Sequence, residues 1–121
     1  MKSFRFAMWQ HGNKIMLVDV IGRLSMTDSV SWRLMEFYGT GAAPDGMGMV
    51  DFENEVRQRP AGYLFTAEGL GKFASGLTDI YDLKLIGTDR GHTLVELEAV
   101  DSDYWEITID EEFSSFDELK P

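Results

Sequence analysis

Three segments, Leu83 to Thr88, Thr93 to Val100 and Tyr104 to Asp110, are separated only by the short links Asp89-Arg90-Gly91 and Asp101-Ser102-Asp103. Parallel strands need a crossover of about a dozen residues or more, so links of this length admit only antiparallel pairing. Within the segments, polarity alternates residue by residue. Val95, Leu97 and Ala99 point one way and Glu96 and Glu98 the other, while Trp105, Ile107 and Ile109 oppose Tyr104, Glu106 and Thr108. Successive side chains of a strand lie on opposite faces, so the pattern dictates a sheet with one dry face and one acidic face. The dry face must be covered by other elements.

The clearest cover is a helix predicted from Thr66 to Tyr81. Thr66 is suited to cap it, Glu68 lies in its first turn, and Leu70, Phe73, Ala74, Leu77, Ile80 and Tyr81 recur at three- and four-residue intervals. Gly69, Gly71 and Gly76 each weaken such a helix by about 1 kcal/mol relative to Ala, so packing has to hold it. Earlier in the chain, Phe4, Phe6 and Met8 alternate with Arg5 and Ala7, and His11-Gly12-Asn13 forms a turn into Lys14 to Ile21, which predicts a hairpin. Trp32 to Tyr38 reads as a strand with two partly covered faces. Gly39 to Gly48, with four glycines and Pro44, reads as a surface loop, with Met49 expected in the core and no clear helix following it. The expected architecture is α+β, a largely antiparallel sheet with one main helix on one face, in a single domain spanning residues 1–121.

Charge is polarised along the chain. Glu96, Glu98, Asp101, Asp103, Glu106, Asp110, Glu111, Glu112, Asp117 and Glu118 have no Lys or Arg among them, whereas up to Arg90 there are 11 acidic and 10 basic residues. The formal net charge of -10 therefore belongs almost wholly to the last quarter, which favours cations or a basic partner and repels nucleic acid. Cysteine is absent, which rules out a disulfide framework, a thiolate zinc site and a thiol nucleophile. The longest apolar run, Ile15 to Val18, stops at Asp19, so neither a signal peptide nor a membrane span is expected, and a cytoplasmic location fits.

The candidate binding residues are Glu96, Glu98 and Glu106 on one strand face, Asp101 and Asp103 in the adjoining turn, and Tyr104 as an aromatic anchor beside them. The plainer alternative is a solvated sheet face, in which directly opposed like charges cost a few tenths to about 1 kcal/mol per pair. Asp101, Asp103 and Glu112 have the spacing of three calcium-loop ligands, but Trp105 and Glu106 occupy the places of a ligand and of the turn glycine. His11 and His92 are the only imidazoles, too few for an ordinary zinc site, and no nucleophile elbow or phosphate-binding loop is present. No metal, cofactor or catalytic residue is therefore expected. Trp9, Trp32 and Trp105 read as core or rim aromatics. Phe113, Phe116 and Leu119 give the acidic terminus an amphipathic character suited to docking on the sheet or on a partner.

Two stretches, LFTAEGLGKFASGLTDIYDLKLIG from Leu64 to Gly87 and LVELEAVDSDYWEITI from Leu94 to Ile109, resemble bacterial immunity proteins of contact-dependent growth inhibition and other polymorphic toxin systems. In that group a helix ending in an x-I-x-D turn precedes a strand, followed by an acidic strand with an Asp-Ser-x-x-Trp-type turn. The resemblance covers about a third of the chain. It implies a cytosolic, non-catalytic protein that neutralises a cognate toxin domain, commonly a basic nuclease. A nuclease surface must be basic to hold phosphates, so an acidic inhibitor can occupy it. Two other expectations stand beside this one: a small-molecule-binding module or enzyme using a pocket beside the Gly39 to Gly48 loop, and an oligomeric structural or assembly protein joined through an exposed strand.

Overall fold

The computed structural model describes residues 1–26 and 29–118. Its frame is a six-stranded antiparallel sheet built from β1 (Lys2–Ala7), β5 (Ser31–Gly41), β6 (Tyr63–Phe65), β7 (Leu77–Asp89), β8 (His92–Val100) and β9 (Tyr104–Ile109). The strands lie in the order β1-β9-β8-β7-β5-β6. Two short ribbons accompany it, β2 (Trp9–Gln10) with β3 (Asn13–Lys14), and β4 (Leu24–Met26) with β10 (Ser114–Phe116). Three helices complete the fold: α1 (Leu17–Ile21), α2 (Met49–Gln58) and α3 (Ala67–Ser75).

The expected α+β architecture and its dry and wet faces are present. Phe4, Ile107, Leu97, Leu85, Leu34 and Tyr63 stand opposite one another across all six strands. The four central members of that row are fully buried. A second row passes through Ile109, Val95, Gly87, Trp32 and Phe65. The link between β7 and β8 is tight because Arg90 and Gly91 both adopt positive φ, 52° and 77°, the geometry whose twist suits a two-residue hairpin.

The helical cover differs from the expectation. The predicted helix from Thr66 to Tyr81 ends at Gly76, and Leu77 onward is strand β7. Its start is as expected, with Thr66 Oγ1 accepting from the Gly69 amide at 3.0 Å and Leu70, Phe73 and Ala74 buried. Leu77 and Ile80 fit a helical spacing, but in β7 their backbone pairs along β5, and this long-range ladder prevails over the local period. The Ile80 to Asp82 segment accordingly lies inside a strand.

Residues 49–58 form α2, whose buried face is only Phe52 and Val56 and whose N-cap is Gly48, so its sequence signal is faint. Met47 and Met49 both pack against the core, and β5 itself runs on to Gly41. The hairpin expected to include Lys14 to Ile21 pairs only Asn13–Lys14 with Trp9–Gln10. The chain then turns into α1, where the Asp19 carboxylate accepts from the Met16 amide at 2.9 Å and Leu17 and Val20 are fully buried. Along β5, Met35 is a bulge between Leu34 and Glu36, and this one-residue shift brings Phe37 to the dry face and Tyr38 to the other.

The dry face is sealed in three sectors. Phe52 of α2 and Phe73 of α3 pack with Phe37 and Phe65 at centroid separations of 5.2 to 6.5 Å. Near the middle, Trp105 is fully buried and donates its indole N–H to the Ile15 carbonyl at 2.9 Å. At the β1 end, Phe116 of β10 packs on Phe4 and Phe6. Of the expected amphipathic terminus, Phe116 is thus docked, Phe113 is half exposed, and Leu119 lies outside the described residues. Among the described residues, no helix is long and apolar enough to cross a membrane.

Gly87 shows how closely this face is packed. A Cβ there would lie 2.7 Å from a Val95 methyl and 3.0 Å from the Trp32 ring. Gly87→Ala is therefore expected to destabilise the fold by about 1 to 3 kcal/mol, measured as a lower midpoint in urea with an unchanged slope.

Candidate functional site: the open face of the sheet

The face opposite the helices presents side chains in the same cross-strand rows. Arg5, Glu106, Glu98, Lys84 and Glu36 form one row, and Ser3, Thr108, Glu96, Ile86 and Arg33 the next. All six residues predicted from the sequence are brought together here. Glu96, Glu98, Glu106 and Tyr104 lie on the face itself, half-buried, while Asp101 and Asp103 are exposed in the turn at its end.

Register also adds cations that the linear sequence kept distant. Glu98 and Glu106 stand directly opposite each other, a like-charge pair that opposes folding, but Arg5 is opposite Glu106 and Lys84 opposite Glu98. Arg5 donates to the Glu106 carboxylate at 2.7 Å while its guanidinium lies 4.5 Å from the centre of the Tyr104 ring. That hydrogen bond, reinforced by the charge of Glu106, raises the Arg5 pKa above its ordinary value. The strand portion of the face is thus of mixed charge, around a shallow depression of about 120 Å³ lined by Lys84, Glu96, Glu98, Glu106 and Thr108. Among the described residues, no three His, Asp or Glu side chains are placed to hold a metal ion.

The end of the face at the β8–β9 turn has a different character. Trp9, half exposed, continues the outward side of β1 set by Arg5 and Ala7, and Tyr38, 56% exposed, follows Glu36 on β5. Tyr81 packs against Tyr38 with ring centres 5.0 Å apart. Lys14 braces this cluster from below. Its ammonium donates to Asp79 Oδ1 at 2.5 Å, the Ile80 carbonyl at 2.7 Å and Ser102 Oγ at 2.6 Å. It also lies 5.4 Å from the Trp9 ring and 5.3 Å from the Tyr81 ring.

Asp101 and Ser102 both have positive φ, 51° and 55°, a conformation that non-glycine residues adopt at a cost. Neighbours hold them there. The Asp101 amide donates to Asp82 at 2.9 Å, the Ser102 amide to the Tyr81 carbonyl at 2.8 Å, and the Trp9 indole N–H to the Ser102 carbonyl at 3.1 Å. The carboxylates of Asp101 and Asp103 thus extend from a fixed turn. Trp9, Tyr38 and Tyr81 were not identified from sequence. The outward alternation Arg5-Ala7-Trp9 was a usable signal for the first, whereas the bulge in β5 and the misassigned helix end hid the other two.

A cleft of about 480 Å³ adjoins the former loop region, lined by Ala42, Ala43, Pro44, Asp45, Tyr63, Phe65 and Lys72 among others. Its carboxylate, Asp45, is exposed and accepts from the Tyr63 hydroxyl at 3.4 Å. Burial, helped by the Asp45 charge, raises the pKa of the Tyr63 hydroxyl in its wall above the ordinary value.

The bracing cluster is open to direct test. Lys14→Met leaves three acceptors without their donor and should cost about 2 to 3 kcal/mol in denaturant unfolding. The hydrogen bond from Lys14 holds the Asp79 carboxyl below its ordinary value, against the opposing effect of burial. A depressed carboxyl stabilises the folded state above the unfolded pKa of about 3.9 and loses that contribution as pH falls through the folded value. Asp79→Asn should accordingly be less stable than wild type at neutral pH, with the gap closing below about pH 4 in thermal melts. No protein-family model, curated protein or solved structure matches the chain, so the geometry of this face carries the functional reading.

Proposed function

We propose that the chain is a non-catalytic binding protein that docks a basic protein on the open face of its sheet and, in line with the resemblance of Leu64 to Gly87 and Leu94 to Ile109, that it acts as an immunity protein against a toxin domain of nuclease type. One observation carries the reading. Among the described residues no helix covers the outer face of the sheet, and Glu96, Glu98, Tyr104 and Glu106 on it, with Asp101 and Asp103 in the turn at its end, adjoin the exposed rings of Trp9 and Tyr38. Interfaces are anchored by Tyr, Trp and Arg, and an acidic surface steers a basic partner into encounter. A net charge of -10 supplies the long-range attraction, and a nuclease supplies the complementary charge. On this reading the protein works in the cytoplasm and uses no cofactor.

The test compares the tagged wild type with a Glu96→Lys, Glu98→Lys, Asp103→Lys variant in capture from the native host. The wild type should retain a stoichiometric basic protein at low salt and release it as salt rises, and adding purified wild type should inhibit that protein's nuclease activity. The variant should associate at least about tenfold more slowly at low salt with thermal stability near wild type. Equal association and equal salt dependence in the variant would refute the electrostatic docking, and a captured partner left active would refute the immunity role.

A further inference from the structure

Trp9, Tyr38 and Tyr81, around the Asp101–Ser102 turn, differ from the rest of the open face in one respect. Here Trp9 and Tyr38 are exposed beside an acidic turn, and among the described residues Lys14 is the cation over the Trp9 and Tyr81 rings, with no Arg stacked on them. Trp9 is 55% exposed, whereas Trp32 and Trp105 are buried. These rings are held in place by the indole bond to Ser102, the Lys14 ammonium and the Tyr38–Tyr81 contact. A rigid ring loses little conformational entropy on binding.

The molecule itself shows which group such a surface accommodates. Arg5 lies over Tyr104 while bonding Glu106, and Arg59 lies over Tyr63, 4.7 Å from its centre, while bonding Glu55 at 3.0 Å. In each case a guanidinium stacks on a ring and pairs at its edge with a carboxylate. The aromatic end offers the same two components: the turn that carries Asp101 and Asp103 is bonded to Trp9, to the Met8 amide and to Asp82, which stands opposite Tyr38, and the arginine is the missing partner. A guanidinium is planar and weakly hydrated, so it stacks and pairs at once, which the compact, strongly hydrated lysine ammonium does less well.

Resting on the docking function above, we propose that this aromatic end is the anchor of the interface and that it takes arginine side chains of the basic partner, stacked on Trp9 and Tyr38 and paired with Asp101 and Asp103. The glutamates of the strands supply attraction, and the aromatic end supplies preference for arginine over lysine.

Hexa-arginine and hexalysine peptides serve as probes, titrated into the full chain at equal low ionic strength. Calorimetry and tryptophan fluorescence follow binding, with Trp9 the exposed reporter. Hexa-arginine should bind about tenfold more tightly than hexalysine and shift the fluorescence, corresponding to a stacking contribution of about 1.4 kcal/mol. Trp9→Ser should bring the two peptides to within about twofold, and Tyr38→Ser, on a different strand, should narrow the gap independently if the first variant folds poorly. A Glu96→Gln, Glu98→Gln, Glu106→Gln variant should bind both peptides more weakly with the preference intact. Equal binding of the two peptides to wild type, or a preference unmoved by both aromatic substitutions, would overturn the arginine anchor while leaving acidic docking in place. Failure of both peptides to bind at low salt would overturn the arginine anchor and the acidic docking together.

Discussion

The pairing register of the central strands is the constraint on which the remainder of the structure depends. Leu34, Leu85, Leu97, Ile107 and Phe4 stand in one row, the adjacent row on the other face is then Lys84, Glu98, Glu106 and Arg5, and the Met35 bulge adds Glu36 to it. A slip of one residue between any two strands would bring a glutamate to the dry side and a leucine to the wet one, each at a cost of several kcal/mol. The charge constellation is therefore fixed by the core. The same register places Gly87 beneath Trp32, and the Met35 bulge moves Phe37 and Tyr38 to the faces where each is used.

Three separate parts of the chain meet at the β8–β9 turn: the β2–β3 ribbon, the bulged start of β7 and the turn itself. Lys14 joins them with three hydrogen bonds and two ring contacts from a nearly buried position. Lys14 thereby ties the β2–β3 ribbon to β7 and to the turn, in which Asp101 and Ser102 persist with positive φ. The strain of these two residues is offset by bonds from Asp82, Tyr81 and Trp9 that no relaxed turn would align as well.

Much of this was legible in the sequence where one period acted alone. From Val95 to Ile109 the alternation acts alone, and the strands, the turn and the acids of the outer face lie where it places them. Between Leu70 and Ile80 the apolar residues satisfy a helical spacing throughout, and only pairing with β5, more than 30 residues earlier in sequence, decides that the second half is strand. The two-residue buried face of α2 fell below what periodicity detects. At the site, the six acidic and aromatic candidates share one face because they share one hairpin. Arg5, Lys84, Trp9, Tyr38 and Tyr81 join them only through register, with Arg5 and Glu106 separated by 101 positions. Sequence proximity revealed the negative half of the surface and hid both its cations and its rings.

That hidden half changes what the acidic composition means. Viewed from a distance greater than the Debye length of about 8 Å at physiological salt, the molecule is an anion, and its terminal acids dominate the attraction of a basic partner. At contact distance Glu106 is already paired with Arg5, and Lys84 stands opposite Glu98 on the neighbouring strand. A partner's cation arriving there gains only the difference between its own interaction and the one it displaces. Beside the Asp101–Ser102 turn, among the described residues, no Arg stacks on the exposed rings of Trp9 and Tyr38, and the turn backbone is held by three hydrogen bonds, so an arriving guanidinium gains more of its interaction and displaces less. Attraction and recognition are thereby assigned to different parts of one face. The long-range part depends on how many acids the chain carries, whereas the short-range part depends on a few aromatic residues whose positions only the folded register defines.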